Sequence, residues 1–169
     1  MTAPFPEPTT PAASQAEVFL RYLDYFRSRL VSKLESLPAE ELRASRLPSG
    51  WTPLELIKHL RYVELRWLEW RFEGTTVANP WGDDREGRWY VADDETLAGL
   101  AAALAEQAGR TRQIVLSHDL PDIGRSGDRW NGASPASLER VLLHLVQEYA
   151  RHLGQLDIVS EMAGAELGE

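Results

Sequence analysis

The chain has no cysteine. That excludes disulfides, thiolate metal ligands and a cysteine nucleophile of its own. It suits a reducing cytoplasm, the compartment expected here. No apolar run approaches the ~20 residues needed to span a bilayer. The segment from Met1 to Ser14 lacks the basic start and apolar stretch of a secretory signal, so neither a membrane partner nor export is expected. A basic surplus is missing too: 18 Lys and Arg stand against 26 Asp and Glu, a net charge of −8. Phosphate backbones are bound by concentrated basic surface, and the cations here are interleaved with acids, so no nucleic-acid partner is expected. Strand-like alternation and internal repeats are also wanting.

What is present is enough apolar material for one core: 43% of 169 residues, with six tryptophans. Residues 1–13 hold four prolines and few apolar side chains and are expected to form a flexible tail. Residues 14–169 are expected to form a single domain. Ser14 is placed to cap a first helix from Ala16 to about Leu37, in which Val18, Phe19, Tyr22, Leu23, Phe26, Leu30 and Leu34 recur at helical spacing. The second helix has the clearest start, with Thr52 as N-cap, Pro53 in the first turn and Glu55 closing a capping box. Its pattern runs to about Phe72 and stops at Gly74. Residues 75–92 are irregular, and Asp83, Asp84, Asp93 and Asp94 read as turn and cap residues, without calcium-loop spacing. An alanine-rich third helix is expected from Asp93 or Asp94 to about Ser117. Residues 118–133 form a second loop. Ser134-Pro135 repeats the cap-plus-proline signal and should open a last helix ending near Met162. Four long helices predict an all-α fold, a four-helix bundle.

Helical projection places ionisable groups on faces that should be buried. With His59 at zero and 100° per residue, Leu56, Val63, Trp67 and Trp70 fall at roughly 20–80°. His59 therefore borders the apolar stripe, and Trp67 and Trp70 read as core. On the last helix, Val141 sets zero and the leucines occupy roughly 0–100°, with His152 near 20° and Glu148 near −20°. A buried glutamate is costly unless its charge is compensated, and a divalent cation compensates it directly. Residues four apart on a helix present their side chains together, so Glu148 and His152 suit one metal, and His59 on a neighbouring helix is the natural third ligand. His144 is also four residues from Glu148 but further from the stripe, and is expected beside the site, orienting Glu148. His118 is given no role. The spacing is also that of an ordinary surface ion pair, and a lone histidine on an apolar face is commonly a core residue.

Two segments carry a family resemblance. Gly50-Trp51-Thr52-Pro53-Leu54-Glu55-Leu56-Ile57-Lys58-His59-Leu60 resembles the second-helix signature of the DinB/YfiT-like superfamily. The stretch from Leu143 to Asp157, with His144, Glu148 and His152, resembles its last-helix signature, and the mini-circle protein branch is the most similar. The resemblance spans roughly residues 15 to 163. It implies an up-down-down-up bundle with long crossovers and a metal site of three protein ligands. Many members have histidine where this chain has Glu148. The His, Glu, His set is similar to that of the mycothiol-dependent maleylpyruvate isomerases.

Three protein ligands leave a coordination position open, the pattern of a catalytic metal site. Zinc is the first expectation, and nickel, manganese and iron also suit the set. Two activities follow. The first is thiol S-transfer or isomerisation with a low-molecular-weight thiol, mycothiol or bacillithiol by the resemblance, acting on an electrophilic small molecule. The second is metal-dependent hydrolysis, with His144 as the available base. A non-enzymatic metal-binding bundle is the third reading. Arg85, Arg88, Arg129 and Arg151 are candidate contacts for an anionic thiol or substrate. The first helix's aromatic and leucine residues are expected to pair two chains as a homodimer.

Overall fold

The computed structural model describes residues 3–164. Four long helices dominate it: α1 (Gln15–Ser36), α2 (Pro53–Glu64), α3 (Leu97–Ser117) and α4 (Leu138–Met162). Each starts on a side chain that accepts a hydrogen bond from an otherwise unpaired backbone N–H, as helix starts require. Ser14 serves α1, Thr52 serves α2, Thr96 serves α3 and Ser137 serves α4. The expected capping box is present, with Glu55 Oε2 accepting from Thr52 N at 2.7 Å. No helix among the described residues is long and apolar enough to cross a membrane.

The helices form an up-down-down-up bundle. Helix α1 packs on α4 and α3, and α2 packs on α3 and α4. Sequence neighbours α1 and α2 therefore face each other across the bundle, and long connections are needed. Leucines from all four helices fill the core, among them Leu23, Leu30, Leu56, Leu60, Leu104, Leu142 and Leu145. Val18 lies outside it, 39% exposed. Residues 3–13 run along α1. Phe5 stands edge-on to Tyr22 and Tyr25, and the Arg21 guanidinium donates to the Pro11 carbonyl at 2.8 Å.

A buried polar knot ties the bundle together. The fully buried Glu64 carboxylate of α2 accepts from Arg27 of α1 at 2.8 and 2.7 Å, from Thr111 of α3 at 2.5 Å and from Tyr149 of α4 at 2.5 Å. One carboxylate thus bonds to all three other helices. Burial would lower Arg27, but the facing carboxylate outweighs it and raises the guanidinium above its ordinary value. Burial and the same carboxylate raise the Tyr149 hydroxyl well above its ordinary value, so it stays a donor.

Several expected boundaries move. α3 begins at Leu97, not at Asp93 or Asp94. Residues 92–95 are held out of the helix because their carbonyls accept from Arg43, while Glu95 pairs with Lys58 and caps the Ala92 N–H. α4 begins at Leu138, not after Ser134-Pro135. Ala136 and Leu138 pair with Gly124 and Asp122 through their backbones, which keeps 135–137 extended. After Glu64 the second helix widens into a π-helix, Leu65–Phe72, in which each turn closes five residues back. The 100° projection therefore fails beyond Glu64. Arg66 goes inside and is 4% exposed, while Trp67 and Trp70 are half-buried rather than core. The irregular 75–92 segment contains a small hairpin, β1 (Asp84–Arg85) paired antiparallel with β2 (Arg88–Trp89). Its two-residue strands are too short to give an alternating pattern.

Candidate metal site

His59, Glu148 and His152 meet at the seam between α2 and α4. One ligand atom from each lies within 4.8 Å of the others. His152 is buried, and His59 and Glu148 are half-buried. His152 Nε2 stands 3.3 Å from Glu148 Oε2, the proximity expected of side chains one turn apart. The two imidazoles meet edge to face at 5.3 Å.

Each histidine is held by its second nitrogen. His59 Nδ1 lies 3.0 Å from Asp83 Oδ2. An ionised carboxylate only accepts, so Nδ1 carries the proton and Nε2 keeps its lone pair. His152 Nδ1 donates to Gln155 Oε1 at 2.8 Å, which likewise frees Nε2. Asp83 is itself pinned by Arg66, whose guanidinium donates to both its oxygens, at 2.5 and 3.1 Å. Metal-binding histidines are commonly oriented by such carbonyl or carboxylate partners. The donor set therefore fits a divalent cation: two imidazole nitrogens and one carboxylate.

The electrostatics agree. Burial depresses the His59 imidazole below its ordinary value, outweighing the Asp83 carboxylate, so the ring is neutral at pH 7. Burial pushes the Asp83 carboxyl up, but hydrogen bonds from His59 and Arg66 prevail and hold it below its usual range. The His152 imidazole beside it holds the Glu148 carboxyl below its usual range, against the effect of burial. Ligands must be deprotonated to bind a metal, and these groups start near that state.

His144 stands just outside. Its Nε2 is 3.8 Å from Glu148 Oε1, beyond hydrogen-bond range, and its ring packs edge-on to Trp67 at 4.6 Å. Burial lowers it below its ordinary value. His118 is remote, 3.4 Å from Glu73 and against Phe72. Trp89, on the hairpin, stacks on His59 with 4.0 Å between ring centres and meets His152 at 5.3 Å. Of the four arginines singled out, Arg88 lines the cleft beside Trp89. Arg85 lies over Tyr90, Arg129 sits in a 3₁₀ turn, and Arg151 is exposed on α4.

The family profile for mycothiol-S-transferase matches residues 18–164. This chain belongs to the mycothiol-S-transferase family. Its fold is shared with YfiT from Bacillus subtilis, described as a probable metal-dependent hydrolase with an unusual four-helix bundle topology. The two align with a TM-score of 0.66 at 16% identity, over 95% of this chain and 94% of YfiT. At that identity the likeness speaks for the fold alone. No curated protein matches the chain significantly.

Within this mycothiol-S-transferase family member, sequence reasoning missed Asp83, Arg66 and Trp89. Asp83 read as a turn residue because it lies 24 positions from His59 in an irregular segment. Gln155, one turn beyond His152, was legible by spacing and went unused. Asp83 gives a direct test. Asp83→Asn keeps the shape but no longer accepts as an anion from His59, and metal affinity should fall by about tenfold or more. Competition against a chromophoric chelator measures this. Unchanged affinity would show that Asp83 does not orient His59.

Proposed function

We propose that the protein is a metal-dependent thiol S-transferase that joins a low-molecular-weight thiol, mycothiol first, to an electrophilic small molecule. The observation that carries this reading is the convergence of His59, Glu148 and His152 in a chain of a mycothiol-S-transferase family that has no cysteine of its own. A divalent ion, zinc first, supplies a Lewis acid that lowers a thiol's pKa from about 8.5 toward neutrality. The chain's own residues do the rest. Glu148 balances the cation's charge, Asp83 and Gln155 fix the two rings, and the Trp89 indole shields one flank from water. Transfer forms one sulfur–carbon bond, and the leaving group departs with its electron pair and the thiol proton.

Hydrolysis is the second reading. It draws on His144, a half-exposed imidazole close to Glu148, and on the description of YfiT. Purified full-length protein loaded with zinc separates the two. Conjugate formation that needs both mycothiol and an electrophile, and that stops on chelation, is the expected result. Ester or amide cleavage without added thiol would favour hydrolysis. A metal-loaded protein with neither activity would sink both.

A further inference from the structure

A cleft of about 520 Å³ opens beside the ligand cluster, a size that suits a small molecule. Its walls include Trp51, Trp89, Arg88, Gly50 and Glu55. Trp89 is shared: one indole both lines the cleft and stacks on His59. A molecule seated there is therefore one ring away from the ligand cluster. Trp51 and Trp89, with ring centres 6.3 Å apart at 52°, touch as a tilted pair and form a shallow wedge with aromatic faces.

The charge in the wedge comes from Arg88. Its guanidinium has no hydrogen-bond or ion-pair partner among the described residues. It lies across Gly50, with Nη2 3.1 Å from where a Cβ would stand. Gly50 has a φ of +85°, a conformation that favours glycine. The missing side chain leaves the guanidinium room beside the tryptophans. Glu55, the acid in the cleft wall, keeps its charge but is tied to the helix start, where its Oε2 accepts from the Thr52 N–H. Arg85, the other hairpin arginine, is stacked on Tyr90.

We propose that this cleft seats the electrophile, and that Arg88 selects a substrate with a carboxylate on an aromatic body. The flat body packs against the indole pair, and the guanidinium, whose planar fork matches a carboxylate, takes the charged end. Calling this ligand the substrate rests on the thiol-transfer reading; the binding site itself does not.

The test uses full-length, zinc-loaded protein and two probes of equal shape, 2-naphthoate and 2-naphthamide, titrated calorimetrically. The acid should bind about tenfold more tightly than the amide. Arg88→Ala should erase that preference without changing zinc stoichiometry, and Arg88→Glu should reverse it. Arg88 is exposed on the hairpin, so these variants should fold. Arg140→Ala, an exposed change on α4, should leave the preference intact. Equal binding of acid and amide, or a preference that survives Arg88→Ala, overturns the proposal. Turnover of 4-(chloromethyl)benzoate against its amide, with mycothiol, forms the second arm. The ratio of their kcat/KM values should fall about tenfold in Arg88→Ala. Arg88-dependent naphthoate binding without any turnover supports the site and rejects thiol transfer. Thiol transfer blind to both the carboxylate and Arg88 supports transfer and rejects this site.

Discussion

Replacing His152 with alanine is expected to lower bound zinc from about one ion per chain to nearly none, and to abolish turnover, while the far-UV helical signal is kept. The side chain contributes one of three donors, and the two that remain span the α2–α4 seam without the one-turn pairing of Glu148 and His152. Helicity survives because the α4 backbone keeps its bonds and its leucine face. A thermal cost of about 1–3 kcal/mol is reasonable for a single buried substitution. His144→Ala should weaken binding far less, since its Nε2 lies 3.8 Å from Glu148. Elemental analysis after gel filtration and a chelator competition decide the matter. Undiminished stoichiometry in the double variant His59→Ala, His152→Ala would refute the ligand assignment.

The second large effect concerns stability rather than chemistry. Glu64→Ala leaves the buried Arg27 guanidinium with only the half-exposed Asp24, which accepts from its Nη1 at 2.9 Å, and strips Tyr149 and Thr111 of their acceptor. Removing the buried partner of a buried charge costs about 3–5 kcal/mol, and the half-exposed Asp24 puts the expected loss at the lower end of that range. For a chain of this length, that corresponds to a Tm lower by roughly 10 °C. The paired variant Arg27→Met, Glu64→Leu should recover part of the loss, because no charge is stranded, while the buried Tyr149 and Thr111 hydroxyls still lack their acceptor. Chemical denaturation measures both. A loss below about 1 kcal/mol for Glu64→Ala would mean that water or a shifted side chain satisfies Arg27 and the knot is not structural. The knot also sets the register of α2 against α4, through Glu64 and Tyr149. Tyr149 adjoins Glu148, so zinc affinity should weaken with stability in the single variant.

The four helices, the capping box at Thr52 and Glu55, and the three residues that meet at the seam were all legible in the amino-acid order. These depend on spacing of 3.6 residues per turn and on the chemistry of caps, which are local properties. His59, Glu148 and His152 were legible because each interrupts an apolar stripe, where a charged or polar group needs a partner. Where α3 and α4 begin depends on long-range contacts. Arg43 and Lys58 hold residues 92–95 from a distance, and the 122–124 segment holds 136–138. The same long-range structure turned Arg66 inward and left Trp67 half-buried at the core's edge, because a π-helix changes the angle between successive side chains. Asp83 and Trp89 reached His59 for a related reason. They ride on a hairpin whose two-residue strands leave no periodic trace, and whose position is set by the Arg66–Asp83 pair rather than by any local preference.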